Sequence, residues 1–322
     1  MNHKAPRPPR AGTDNWLPGI NFPSGNLKMT ALVHPIDRLR NSVALPAILL
    51  AIGALLIGAQ LDLPGPAPAN SGPETVTLAP ADFTYRAEGH FLRNGHPVDA
   101  PMVTTRLEAP LVIMKYQVSA ADYAACVADG ACAPARPRHV GTGNVPVTGV
   151  NHDDAMAYAG WLSRRTGQDW ALPTDRQWAF AAGAGFADDA LGLADDGANP
   201  AERWLANYEK EAARDSEAGR LPLALGSFGL NENGIADMGG NVWEWTQTCH
   251  RRVHVDAAGN VLSEVPACTI KVLEGQHRTP MSFFIRDARS GGCSVGTPPD
   301  NLGFRLVRQP KWYEPLLDYF RV

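Results

Sequence analysis

The sequence has no Cys-x-x-C pair, no His-Glu-x-x-His and no P-loop. Structural zinc, thioredoxin-type exchange, the zincin helix and P-loop phosphate binding are therefore without support. It has no strong charge of either sign: 29 Lys and Arg stand against 33 Asp and Glu, a net charge of −4 with pI near 6.1. That excludes a strongly basic nucleic-acid binder, and no nucleic-acid partner is expected. Internal repeats are absent and clear amphipathic helices are few. Apolar residues are not scarce. They make up 44% of the 322 residues, enough for a sizeable core.

The most informative absence is local: residues 41–61 carry no charge. Before them, residues 1–40 hold six Lys or Arg against Asp14 and Asp37, a basic arm of +4. After them, residues 62–322 hold 23 bases and 31 acids. Val43 to Ala59 has no polar side chain, and 17 apolar residues rise about 25 Å as a helix, near the short limit for a span. Ser42 and Gln60–Leu61 can lengthen it. Arg38 and Arg40 precede it and Asp62 follows, which by the positive-inside rule puts the arm in the cytoplasm and the rest outside. The expected location is the inner membrane, single pass, with a periplasmic domain. Ala67-Pro68-Ala69 resembles a cleavage site but lies far from the apolar stretch, and Met29 offers an alternative start. We read 41–61 as an uncleaved anchor, with a cleaved secreted form as the alternative.

Residues 62–80 read as a Pro-rich linker, 81–308 as one α+β domain rich in irregular structure, and 309–322 as an aromatic tail with Trp312, Tyr313, Tyr319 and Phe320. The tail is expected to pack back on the domain. Three helices are expected. One is capped by Ser119 and runs to Ala128. One runs from Asp153 to Thr166 with Gly167 closing it. One follows the capping-box pattern Thr174-Asp175-Arg176-Gln177 and runs to Ala182. Leu111–Met114 and Leu302–Val307 read as strands. Outside the membrane disulfides are permitted, and Cys126–Cys132 with Cys249–Cys268 is the simplest of several pairings, leaving Cys293 over.

One string is specific. Gly240-Asn241-Val242-Trp243-Glu244-Trp245-Thr246, preceded by Asn233 to Met238, resembles the signature of the formylglycine-generating enzyme family, also called the sulfatase-modifying factor family. Three further blocks agree in order. Lys115-Tyr116-Gln117-Val118-Ser119 with Asp122-Tyr123 is similar to the family's "KYEVT…Y". Val147 to Ala182 is similar to its "DA..Y..WL…TG…LPTE.EWE.AAR". Asn301-Leu302-Gly303-Phe304-Arg305 is similar to its "NLGFR". The resemblance implies a C-type-lectin-like fold with little regular secondary structure and bound Ca²⁺. It assigns one calcium to the Asp237 and Glu244 side chains with the Gly240 and Val242 carbonyls. A second would use Asn207, Asp215 and the Tyr208 and Glu217 carbonyls. Acidic and carbonyl oxygens around a Gly-rich turn suit a hard cation. From the residues alone, Trp243 and Trp245 point to one face of an extended segment and Glu244 to the other.

The chain departs from the family where the chemistry lies. Formylglycine synthesis resembles a copper-dependent oxidation by O₂, with two close cysteines binding Cu(I). The corresponding stretch, Lys271 to Arg289, has no cysteine. Alignment from Gly275 puts Pro280 and Ile285 at the two positions; alignment back from Arg289 puts Met281 at one. The family's Gly-Gly-Ser is Gly275-Gln276-His277. Usual formylglycine synthesis is thus not expected. Three readings remain. The first is a membrane-anchored periplasmic accessory protein that assists maturation of, or binds, a periplasmic enzyme. By the resemblance, that partner is a redox enzyme, copper nitrite reductases included. The second is a copper or non-haem iron oxidoreductase using His277, Met281 and Cys293. The third is a lectin-like binding module. His152, His250 and His254 read as surface or hydrogen-bonded residues.

Overall fold

The computed structural model describes residues 72–140, 144–190, 201, 205–206, 208–209, 221–287 and 301–310. The chain divides into two compact units, Met1–Gly65 and Pro66–Val322, and every described residue lies in the second. The expected basic arm, the 41–61 span and most of the aromatic tail lie outside the described residues. No described helix is long and apolar enough to cross a membrane.

The fold is mixed and sheet-rich, with few helices. In one sheet β1 (Thr75–Leu78), β6 (Leu111–Met114), β12 (Val307–Gln309) and β7 (Asp169–Ala171) lie in that order. A second sheet runs β10 (Thr279–Ser282), β9 (Val261–Glu274), β8 (Trp243–Val255), β3 (His90–Arg93), β4 (His96–Val98), with β11 (Leu302–Gly303) also on β8. A separate hairpin pairs β2 (Asp82–Arg86) with β5 (Met102–Arg106). Folded structure therefore begins before residue 81. Thr75-Val76-Thr77-Leu78, inside the stretch read as linker, is β-branched enough to pair antiparallel with β6.

The helices follow their caps. Helix α1 (Ala120–Ala128) starts where Ser119 Oγ accepts the Asp122 N–H at 2.9 Å. Helix α2 (His152–Thr166) has a capping box between Asn151 and Asp154 and ends on Gly167 in the left-handed region. Helix α3 (Asp175–Ala182) has its box between Thr174 and Gln177. The expected strand Leu302–Val307 is broken instead. Leu302–Gly303 pairs parallel with Trp243–Glu244, Val307 pairs with Ile113 and Ala171, and residues 304–306 pass between the two sheets. Gly303 allows that passage: a Cβ there would meet the Val147 carbonyl at 2.8 Å and Val242 Cγ2 at 2.9 Å.

The main core gathers Tyr123, Tyr158, Trp161, Trp245, Leu273, Met281 and Phe304. Tyr158 meets Phe304 edge-on at 5.4 Å between ring centroids, an arrangement that adds about 0.5–1.5 kcal/mol beyond its buried area. Both expected disulfides are formed. Cys126–Cys132 closes the end of α1 and Cys249–Cys268 crosslinks β8 to β9.

Candidate functional site

The string at 240–246 leads into the interior. Its turn holds Asp237 and Asn241 at φ 56° and 68°, a left-handed conformation that Asn and Asp adopt more readily than most residues. Trp245 is fully buried and Trp243 half-buried, but Glu244 on the opposite face is fully buried too. Its carboxylate needs partners, and the chain supplies them from three separate places. Arg305 donates Nε to Oε2 and Nη2 to Oε1, both at 2.7 Å. Trp178 Nε1, on α3, donates to Oε2 at 3.0 Å. Gln117 Nε2, just after β6, donates to Oε1 at 2.9 Å. Arg305 spends its remaining donors on the carbonyls of Ala236, Lys115 and Met114. A bidentate guanidinium–carboxylate pair of this kind is fixed in geometry as well as charge.

The structure thus brings Asp237, Gly240 and Glu244 together, as the resemblance implies. The arrangement does not fit a cation cage. Asp237 uses its carboxylate on the backbone, accepting from Gly226 N at 2.6 Å and Phe228 N at 2.8 Å. Glu244 is already neutralised by Arg305. The Gly240 carbonyl accepts from Val242 N at 2.8 Å, and Val242 itself is buried. Of the second expected set, Tyr208 is exposed; Asn207, Asp215 and Glu217 lie outside the described residues.

The copper positions are also occupied by other chemistry. Met281 and Ile285 are buried in the main core, with Trp245 and Leu273, and Pro280 is exposed on β10. The segment is pinned from beyond: Arg286 forms a two-pronged ion pair with Asp154 of the α2 capping box. His277 is buried, with Nδ1 2.8 Å from the Arg278 carbonyl and its ring edge-on to Trp243. Cys293 lies outside the described residues. Among the described residues no three His, Cys, Asp or Glu side chains are grouped to hold a metal ion. Two thiolates are what soft Cu(I) requires, and the residues present do not fit it.

The other histidines are structural. His250 and His254 lie on strand β8, so their spacing of four is not that of a helix face. Burial, then the charges of His90 and Arg252, push His250 below the usual histidine range. Burial and then Lys271 lower His152, whose Nε2 has no hydrogen-bond partner among the described residues.

A second buried charge cluster was not anticipated. Arg278 Nε donates to Glu274 Oε1 at 3.1 Å and lies 2.8 Å from Asp175 Oδ1, with Asp189 at 3.7 Å. Burial, reinforced by Asp175, holds Glu274 well above the usual carboxylate range. Gln117, Trp178, Arg305 and Arg278 were all missed as partners. Trp178 and Arg305 lie inside quoted blocks, which was the signal available. Finally, a cavity of about 440 Å³ opens beside Gln117, lined by Tyr116, Asp122, Tyr158, Trp161 and Arg165 among others.

Residues 60–310 match the model of the sulfatase-modifying factor enzyme 1-like domain. The chain belongs to this family. Its relatives include a formylglycine-generating enzyme of Mycobacterium tuberculosis, 39% identical over 184 residues, covering 51% of this chain and 58% of that one. Another, from Streptomyces coelicolor, is 30% identical over 54% of this chain and 55% of its own length. The inactive Cα-formylglycine-generating enzyme 2 of Mus musculus is 31% identical over 51% and 49%. The chain spans about half the length of these curated relatives. A solved structure of PvdO from Pseudomonas aeruginosa overlays 74% of this chain and 95% of its own with TM-score 0.49 at 22% identity. Within the sulfatase-modifying factor pattern, Gln117 stands where "KYEVT" has Glu, and Arg305 is the Arg of "NLGFR".

Proposed function

We propose that this chain is a membrane-anchored periplasmic accessory protein of the formylglycine-generating enzyme family, assisting maturation of, or binding, a periplasmic redox enzyme. One observation carries the reading. The stretch where the family's chemistry needs a thiolate pair is packed as core, with Met281 and Ile285 buried against Trp245 and Leu273. Ile285 offers no ligand atom and one buried thioether does not replace a thiolate pair, while the domain is retained around them. The family includes a relative named as inactive, so loss of the chemistry with retention of the domain has a parallel. The anchor and linker would hold the domain near the membrane, where a periplasmic client is matured.

Two measurements test this. The purified chain is loaded with copper or iron and offered a Cys-x-Pro-x-Arg peptide. No formylglycine is expected by mass spectrometry, and turnover sinks the reading. Crosslinking in native membranes is expected to recover a periplasmic oxidoreductase; recovery of none would count against a redox partner.

The cavity favours a second reading, a binding module without chemistry. Tyr116, Tyr158 and Trp161 supply aromatic surface, and Asp122 and Arg165 supply polar groups at the same opening. Such a mixture suits an amphipathic ligand such as a sugar or peptide. Glycan or peptide binding that Trp161→Ala abolishes, with no partner enzyme recovered, would favour it.

A further inference from the structure

A nitrogen of the chain lies against two of the four oxygens that the resemblance assigns to the first calcium. Gln117 Nε2 lies 2.9 Å from Glu244 Oε1, 3.3 Å from the Asp237 carbonyl and 3.5 Å from the Gly240 carbonyl. The Glu244 side chain and the Gly240 carbonyl belong to the oxygen set that the resemblance assigns to the ion, and Asp237 enters through its carbonyl rather than its carboxylate. Three acceptors around one side-chain atom require that atom to be the amide donor rather than the amide oxygen. Gln117 is buried, and its Oε1 has no hydrogen-bond partner among the described residues. The side chain is therefore oriented by its donors, at the expense of its acceptor.

We propose that the Gln117 amide stands in for the metal ion, so that this node of the fold is metal-independent, and that residue 117 decides it. The charges agree. Glu244 is balanced by Arg305, and Asp237 by two backbone N–H groups. A divalent cation would add two positive charges beside a buried guanidinium with no carboxylate left to meet them. Ca²⁺ also asks for about six to eight oxygens at 2.3–2.6 Å, and here the nearest oxygens are already spaced for an N–H donor. Gln117→Glu reverses each condition. It removes the donor, places a second carboxylate beside Glu244, and leaves each of the two carbonyls with its backbone N–H partner alone. The inference does not depend on the accessory reading.

The test uses the full-length chain in detergent, stripped with EDTA and dialysed against Ca²⁺, with metal content read by mass spectrometry. Wild type and Glu244→Gln are expected to hold the same number of ions. Gln117→Glu is expected to hold one more, and to unfold at a lower temperature in EDTA than in Ca²⁺ by a wider margin than wild type. Two results overturn the proposal: an ion in wild type that folded Glu244→Gln loses, or a folded Gln117→Glu that gains none. If Glu244→Gln does not fold, the comparison of Gln117→Glu with wild type decides alone. A Gln117→Glu chain that folds only with Ca²⁺ supports it.

Discussion

Glu244 and Glu274 face each other across the β8–β9 ladder, and both are completely buried. They are solved differently. Glu244 has a guanidinium aimed at both oxygens, plus an indole N–H and an amide N–H. Among the described residues Glu274 has one N–H, from Arg278, and its Oε2 has no hydrogen-bond partner. Arg278 also pairs with Asp175, whose two oxygens likewise lack a hydrogen-bond donor among the described residues. At Glu244 one cation is matched to one anion. Arg278 is shared among Glu274, Asp175 and Asp189, and burial, then Asp175, favours the protonated form of Glu274. The first arrangement fixes chain geometry at the family's central motif. The second makes the neighbouring motif sensitive to pH.

The largest expected effect comes from breaking the matched pair. Arg305→Met leaves Glu244 buried without its counter-ion, which costs about 3–5 kcal/mol. Urea unfolding should show it, and the Glu244→Met, Arg305→Met double variant should recover much of the loss, because two apolar groups replace a pair rather than orphan a charge. A single variant as stable as wild type would mean that Arg305 is not what holds Glu244. A smaller effect is expected from Trp178→Phe. The phenyl is smaller than the buried indole and one donor to the carboxylate is lost; the lost hydrogen bond alone is worth about 1.5–3 kcal/mol. The same variant should leave any pH-dependence that arises at Glu274 unchanged, which separates the two clusters.

The contrast also explains what could be read in advance. Caps were legible because both partners lie three residues apart: Ser119 with Asp122, Asn151 with Asp154, Thr174 with Gln177. Cys126–Cys132, six residues apart, was legible because it too is local. Glu244 was singled out within its motif, but its partners lie 61, 66 and 127 residues away in sequence, and no local pattern reports such pairs. The carboxylate was therefore read with an ion when the chain meets it with Arg305 and Gln117. Arg278 lay next to His277, a suspected ligand, and drew no notice as a surface-type residue. The strand at Thr75–Leu78 was hidden by the prolines before it. The broken strand at 304–306 follows from Arg305 turning in to Glu244, a constraint that apolar patterning does not record.

The smallest effect is a change of slope with pH. In the fold Glu274 binds its proton more tightly than in the unfolded chain, chiefly through burial and then through Asp175. Arg278 opposes this but is shared. The protonated carboxyl can donate to Asp175, which accounts for two of the orphaned groups at once. Below the unfolded value of 4.5 both states carry the proton, and the stabilisation is fully present. As pH rises from there towards the folded value, the unfolded chain releases the proton first, so stability is lost. Glu274→Gln keeps the shape and a donor but has no proton to release. Its advantage over wild type should therefore grow as pH rises above 4.5 in urea unfolding, as linkage requires. Parallel profiles for the two chains would show that Glu274 is charged in the fold, and that Arg278 satisfies it as fully as Arg305 satisfies Glu244.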